Sequence, residues 1–307
     1  MKPQSRIGLL QVCVAAVLWG TSGLVMTTLH DRDGLGAMTV GAWRMVLAAA
    51  ALLIFVAVTG RLGSVRQTMH NHPTLTVVIG AGTALHQGLY FSSVLMVGVS
   101  VSTVVALGLA PVLAATAEHL LARTRPSIRD VGVLAAALAG LILISLNADH
   151  GAPAPLDRPG LGVALAIAAG FVYATTTVLG HTMAKQVEPV ALTTATTCVG
   201  ALTLAPFLAV ALAAGEPAIG LSTGSLALLF YLGTATMALS YGLLYAGLRT
   251  TPGSAATIAT LLEPIAAGAL AALLLGERLG PAGIVGAVLI LAAVVALRPE
   301  PQPPVAN

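Results

Sequence analysis

The sequence predicts an all-α membrane protein of ten transmembrane helices, arranged as two inverted five-helix repeats with N- and C-termini cytoplasmic. Three observations carry this: a near absence of charge, apolar runs of bilayer length, and the side on which the remaining basic residues fall.

Of the 307 residues, 57% are hydrophobic and only 8% charged, with a mean hydropathy of +0.94. A soluble domain carries roughly a quarter charged residues, so the surface of this chain is built to face lipid. The net charge of +3 does not indicate nucleic acid, because the basic residues form no patch or stripe. Cys13 and Cys198 lie in apolar runs without a CxxC or a histidine pair. They read as buried thiols packed as small hydrophobes, so no metal, cofactor or disulfide framework is implied. Lys2 and Arg6 precede an apolar stretch too long for a signal-peptide core, which reads as a retained first helix.

A hydrocarbon core of about 30 Å needs about 20 apolar residues per helix. Such runs fall at 7–29, 36–58, 75–96, 100–121, 130–147, 160–181, 190–213, 225–247, 254–275 and 281–297. Helix breakers punctuate them: Asp31-Arg32-Asp33-Gly34, His72-Pro73, Arg125-Pro126, Arg158-Pro159, Pro252-Gly253 and Gly280-Pro281. The weakest break is the uncharged patch 98–100. With the N-terminus in the cytoplasm, the inner loops hold Lys2, Arg6, Arg61, Arg66, Arg123, Arg125, Arg129, Lys185, Arg249 and Arg298. The outer loops hold only Arg32, Arg158 and Arg278. That asymmetry is what the positive-inside rule demands of an even number of crossings in an inner membrane.

The longest polar connection inside the hydrophobic body falls at mid-chain and reads as a linker. The predicted organisation is a first repeat over 1–147, a linker over 148–159, a second repeat over 160–297 and a proline-rich disordered tail over 298–307. An offset of 153 residues aligns Pro111 with Pro264 and Trp19-Gly20 with Val172-Tyr173. An odd number of helices per half makes the second half enter the membrane upside down. Secondary transporters build alternating access on such repeats, with the site near the midplane.

The second half reads Leu262-Glu263-Pro264, an alanine- and leucine-rich helix, Gly276-Glu277-Arg278-Leu279, then a small-residue helix from Gly283. The first half carries Leu18-Trp19-Gly20-Thr21-Ser22 and Trp43-Arg44. Over about residues 7–297 this resembles the EamA family of the drug/metabolite transporter superfamily. The resemblance implies a ten-helix inverted-repeat fold and export of amino acids, their derivatives or other small metabolites. One element departs: Thr124, thirteen residues after Pro111, stands where the second half has Glu277. Symmetric roles for the halves are therefore not implied.

Ionisable groups at membrane depth cost about 2.5–3.5 kcal/mol on insertion scales and mark function by default. His86 sits mid-span beside Gln87, and the helical period places Tyr90 on its face. Two readings stand: a wall of the substrate cavity whose imidazole, titrating near about 6.5, carries protons, or a neutral histidine bonded to a neighbouring helix. Glu263 precedes Pro264, which loosens the helix. It reads as a proton or ammonium site, or as a group that satisfies the freed backbone. Arg44 attracts a substrate carboxylate, pairs with an acid, or snorkels to the interface. Glu118, among Arg123 and Arg125, reads as an interfacial ion pair. Trp19, Tyr241 and Tyr245 lie mid-span, away from the interfaces where membrane aromatics gather, and are assigned with His86, Gln87 and Tyr90 to the substrate-binding wall. Pro111 and Pro264 are read as matched hinges. Gly132, Ala136 and Gly140 are read as a close-packing stripe.

The expected partners are a small-molecule substrate, the lipid bilayer and protons, and not nucleic acid. No Walker A loop is present, which leaves ion or substrate gradients as the energy source. Two other classes remain in view: a lipid-intermediate flippase or non-transporting protein on the same fold, and an intramembrane serine enzyme using Gly20-Thr21-Ser22-Gly23 with His181 as base. Arg44 alone offers a basic group at depth for a phosphate, and Ser22 and His181 fall toward opposite ends of their spans, so both are disfavoured.

Overall fold

The computed structural model describes residues 3–147, 159–274 and 280–297. The predicted linker, the tail and the Gly276-Glu277-Arg278-Leu279 motif lie outside these residues. Within them the backbone is helical, with no strand. The helices are α1 (Pro3–Asp33), α2 (Ala37–Val58), α3 (Leu62–Asn71), α4 (Pro73–Ala122), α5 (Ile128–Asn147), α6 (Pro159–Ala184), α7 (Pro189–Ala213), α8 (Thr223–Gly233), α9 (Ser240–Leu248), α10 (Gly253–Ala259), α11 (Leu262–Leu274) and α12 (Pro281–Ala296). A π-helical segment, Thr234–Leu239, joins α8 to α9 without interruption. Seven stretches of these helices are long and apolar enough to cross a membrane, and α12 is a shorter apolar helix.

Helix α4 has 50 residues. Straight, it would run about 75 Å at 1.5 Å per residue, more than twice the hydrocarbon thickness. It is not straight. Ser93 Oγ and Ser102 Oγ lie 2.7 Å apart, and Tyr90 OH lies 2.8 Å from Thr103 Oγ1. Nine residues of straight helix would separate such groups by about 13 Å, so the chain doubles back between Ser93 and Ser102, where the sequence shows its uncharged patch. Helix α6 lies along both limbs. Against the first limb it runs antiparallel: Gly162 abuts Val97, the Ala169 carbonyl meets His86, and Thr176 abuts Gly82. Along the second limb it runs parallel, with Gly170 on the Ala106 backbone and Tyr173 packed on Ala110.

The main core lies between the chain halves: Val12, Trp19, Met45, Ile79, Leu192 and Leu244 meet in one cluster. Cys13 and Cys198 are free, half-buried and packed against it. A second cluster joins α5 to α12 through Leu141, Ile144 and Ile290. There Gly140 and Gly286 face each other so closely that a methyl on either would come within 2.6 Å of the other's carbonyl oxygen. Of the predicted small-residue stripe Gly140 thus makes the approach, whereas Gly132 has nothing near it.

Helix α3 falls between the predicted spans. Its Val65 and Thr68 are buried on the face packed against α7, and most of the rest is exposed. Glu118 makes no ion pair among the described residues. Its carboxylate accepts from the Ser254 backbone N–H at 3.0 Å and from the Ser254 hydroxyl, capping α10. A helix start leaves its first N–H groups unpaired and carries partial positive charge, a better partner for a half-buried acid than mobile arginines. A salt bridge at this end, Arg61 to Glu188 at 2.5 Å, ties α2 to the start of α7.

Candidate functional site

The ionisable and aromatic side chains at membrane depth meet in the middle of the helices. Trp19 comes from α1, Arg44 from α2, His86 and Tyr90 from α4, Tyr173 from α6, Tyr241 and Tyr245 from α9, and Glu263 from α11. The aromatic rings form two runs. Trp19 and Tyr241 have centroids 5.1 Å apart, with Tyr245 6.1 Å beyond Tyr241. His86 stacks on Tyr173 at 4.9 Å and on Tyr90 at 6.2 Å. Between the runs lies a narrow cleft walled by His86, Tyr173, Tyr241 and Tyr245 with Thr83 and Thr176. Beside it the packing is tighter, where Thr83, Tyr241 and Tyr245 meet Met45, Thr196 and Thr197.

Most of these side chains are held from behind. His86 Nδ1 lies 3.0 Å from the Ala169 carbonyl, which fixes the ring plane. Tyr90 is bonded to Thr103, and Tyr245 shares a wall with Thr83 and Thr196. The Arg44 guanidinium donates to the Thr236 carbonyl at 2.6 Å. Thr236 belongs to the π-helical segment, whose wider turn appears again in the Ser240 hydroxyl donating five residues back, to Ala235, at 2.8 Å. A π turn inserts a residue and rotates the helix beyond it. Here that helix is α9, which carries Tyr241 and Tyr245.

No salt bridge joins Arg44 to Glu263 among the described residues. The two nonetheless act on one another electrostatically, Arg44 also on His86 and Tyr241, and Glu263 also on Tyr90, Tyr173 and Tyr241. The cluster thus carries one cation and one acid around a ring of hydroxyls. Several polar atoms here lack a hydrogen-bond partner among the described residues: Trp19 Nε1, Arg44 Nε and both amide atoms of Gln87, whose residue is 7% exposed. Burying such a group unpaired costs about 1–3 kcal/mol.

Not every predicted site residue lines the cleft. His86, Tyr241 and Tyr245 do; Trp19 backs Tyr241, and Tyr90 backs His86. The two prolines are treated differently. Pro111 lies inside α4 with no interruption there, whereas α10 and α11 are separated at Thr260 and Leu261, just ahead of Pro264 in the first turn of α11. Ser22 donates to the Trp19 carbonyl, and His181 meets the Leu248 carbonyl at 2.6 Å, so the pair is not joined. The wall also contains threonines that composition and spacing do not single out: Thr83, Thr176, Thr177, Thr196 and Thr197. The available signal is Thr83, which stands three residues before His86 on the same stripe.

Long apolar helices enclosing a buried, polar and aromatic cleft define a multi-pass membrane protein of the transporter class. The EamA-like transporter family model matches the chain twice, over residues 6–146 and 160–298, and the chain belongs to that family. Two relatives extend along nearly all of it. The Bacillus subtilis protein named Uncharacterized transporter YwfM is 27% identical over 95% of this chain and 93% of its own length. The Salmonella typhimurium protein named Uncharacterized inner membrane transporter YicL is 27% identical over 95% of both. A crystal structure with a TM-score of 0.78 and 17% identity covers 94% of this chain and 95% of its own, and shows the same fold.

Proposed function

We propose that the protein is a secondary transporter that exports small metabolites, amino acids or their derivatives, across the inner membrane by alternating access, coupled to protons. The observation that carries this reading is that Arg44 and Glu263 act electrostatically on one another and on Tyr241, which walls the cleft together with His86, Tyr173 and Tyr245. A guanidinium suits a carboxylate, and an acid beside tyrosine faces suits an ammonium group. A small zwitterion would present both of those charges at once.

The reading has the chain crossing ten times, with α4 contributing two crossings, as two inverted repeats. Its support is the pattern of packing. Taking the limbs of α4 as the third and fourth crossings, the second packs on the seventh, the fifth on the tenth and the fourth on the ninth. Exchanging halves maps α1 on α9 and α11 to α6 on the two limbs of α4, and α2 on α8 to α7 on α4. Contacts between distant loops also sort by end. Arg61–Glu188, Glu118–Ser254 and Arg129 to the Ala296 carbonyl close the arginine-rich end, taken as cytoplasmic. Trp43 Nε1 donating to the Ala218 carbonyl at 2.6 Å, with Asp33 against Gly220, closes the other. The cleft between them is then an occluded state.

The test is protection. Single cysteines at His86 and Tyr245 in a Cys13→Ala, Cys198→Ala background are expected to react with a polar thiol reagent and to be shielded about tenfold or more by a saturating transported substrate. Cysteines at both positions that stay unreactive under turnover would contradict the cleft as the pathway.

A further inference from the structure

Helix α10 ends at Ala259 and α11 begins at Leu262, with Glu263 in its first turn. The break has a local cause. The Thr260 carbonyl would normally receive the N–H four residues on, but that residue is Pro264, which has none. Glu263 N–H donates to it instead, at 3.0 Å. The Thr260 side chain ties this irregular turn to another helix. Its hydroxyl donates to the Thr257 carbonyl at 2.9 Å and accepts from Tyr173 OH on α6 at 3.1 Å. Tyr173 in turn lies flat against His86 in the cleft wall. From the other side α1 presses on the start of α11, since a methyl at Gly20 would meet the Glu263 carbonyl oxygen at 2.6 Å.

We propose that Thr260 is a positioning residue: through its bond to Tyr173 it fixes the turn that carries Glu263, and so links the aromatic wall to the coupling carboxylate. This rests on the reading of Glu263 as the coupling group. Thr260 is 2% exposed and, like Glu263, lies outside the cleft lining, so it acts through Tyr173, which belongs to that lining, and through the turn that carries Glu263. The titratable groups that interact electrostatically with Glu263 are Arg44 from α2, Tyr90 from α4, Tyr173 from α6 and Tyr241 from α9, with His86 reached through Arg44. The neighbouring α1 contributes uncharged Trp19 and Gly20.

The experiment compares Thr260→Val, which keeps the shape and loses the hydroxyl, with Thr260→Ser, which keeps the hydroxyl. Purified full-length protein in liposomes is assayed for substrate exchange and for accumulation under a gradient of one pH unit. Thr260→Val is expected to keep the exchange KM within about threefold while its accumulation falls from about tenfold to about twofold or less. Its pH midpoint should move, and Thr260→Ser should restore both. Thr260→Ala replaces the valine variant if that one fails to fold. Accumulation and pH midpoint unchanged in Thr260→Val, or equal loss of exchange in the valine and serine variants, would overturn the proposal. If Glu263→Gln loses accumulation and Thr260→Val keeps it, the positioning role alone falls. If Glu263→Gln accumulates like the wild type, the coupling reading falls and takes the positioning role with it.

Discussion

Glu263→Gln is expected to exchange substrate across a liposome membrane yet fail to concentrate it. One pH unit is worth about 1.4 kcal/mol per proton, so a transporter moving one proton per substrate reaches a ratio of about tenfold across that gradient. Glutamine matches the shape of the acid and still hydrogen-bonds, but it cannot release a proton. The ratio should therefore collapse to about one, while counterflow at equal pH persists. Glu263 is the right group to ask because it is the carboxylate of the cluster, in the first turn after the α10–α11 break, and electrostatically linked to Arg44. A variant that loses exchange and fold together would show instead that the carboxylate holds the broken helix in place.

Arg44→Ala is expected to weaken substrate binding by about thirtyfold or more. A hydrogen bond to a charged group contributes about 1.5–3 kcal/mol, and about 2 kcal/mol is about thirtyfold in affinity. Arg44→Lys keeps the charge but loses the planar fork. It should recover part of the loss for substrates with a carboxylate and none of the contact to Thr236 that steadies the π turn. The measurement is the half-saturating concentration for exchange with carboxylate and amide forms of one substrate. Equal weakening for both forms would mean that Arg44 supports the wall and does not read the carboxylate.

The membrane class and the cluster were legible in the sequence because both are written in residue type. Lipid-facing helices must be apolar over a fixed length, and His86, Arg44 and Glu263 are costly enough at depth to stand out. What could not be read was backbone geometry. Nothing in the residues 234–239 names a π turn, because threonine, alanine, methionine and leucine all occur within apolar α-helices; the structure shows the Thr236 carbonyl of that turn accepting from Arg44. Pro264 announced a disturbance, but the break falls at Thr260 and Leu261 on its N-terminal side, where the missing N–H is felt, and Pro111 provokes none. Helix α3 is only ten residues long, half a bilayer crossing, so its Leu62, Val65 and Met69 make no apolar run of spanning length. The wall threonines stayed hidden for a simpler reason. Thr83 and Thr196 satisfy their hydroxyls on the preceding turn, at 2.8 Å to Ile79 and Leu192, as threonine does in any apolar helix. Only the fold shows which of them also face a cleft.

The measurement that reaches the central claim most directly is counterflow in proteoliposomes, with a panel of labelled amino acids, amines and small carboxylates, each with and without a pH gradient. The account predicts saturable exchange of zwitterionic compounds, weaker exchange when either charge is removed, and acceleration by the gradient. Folded protein that exchanges none of the zwitterions, or exchanges amines and carboxylates as well as it does them, would contradict the assignment of Arg44 and Glu263 as the two poles of the site.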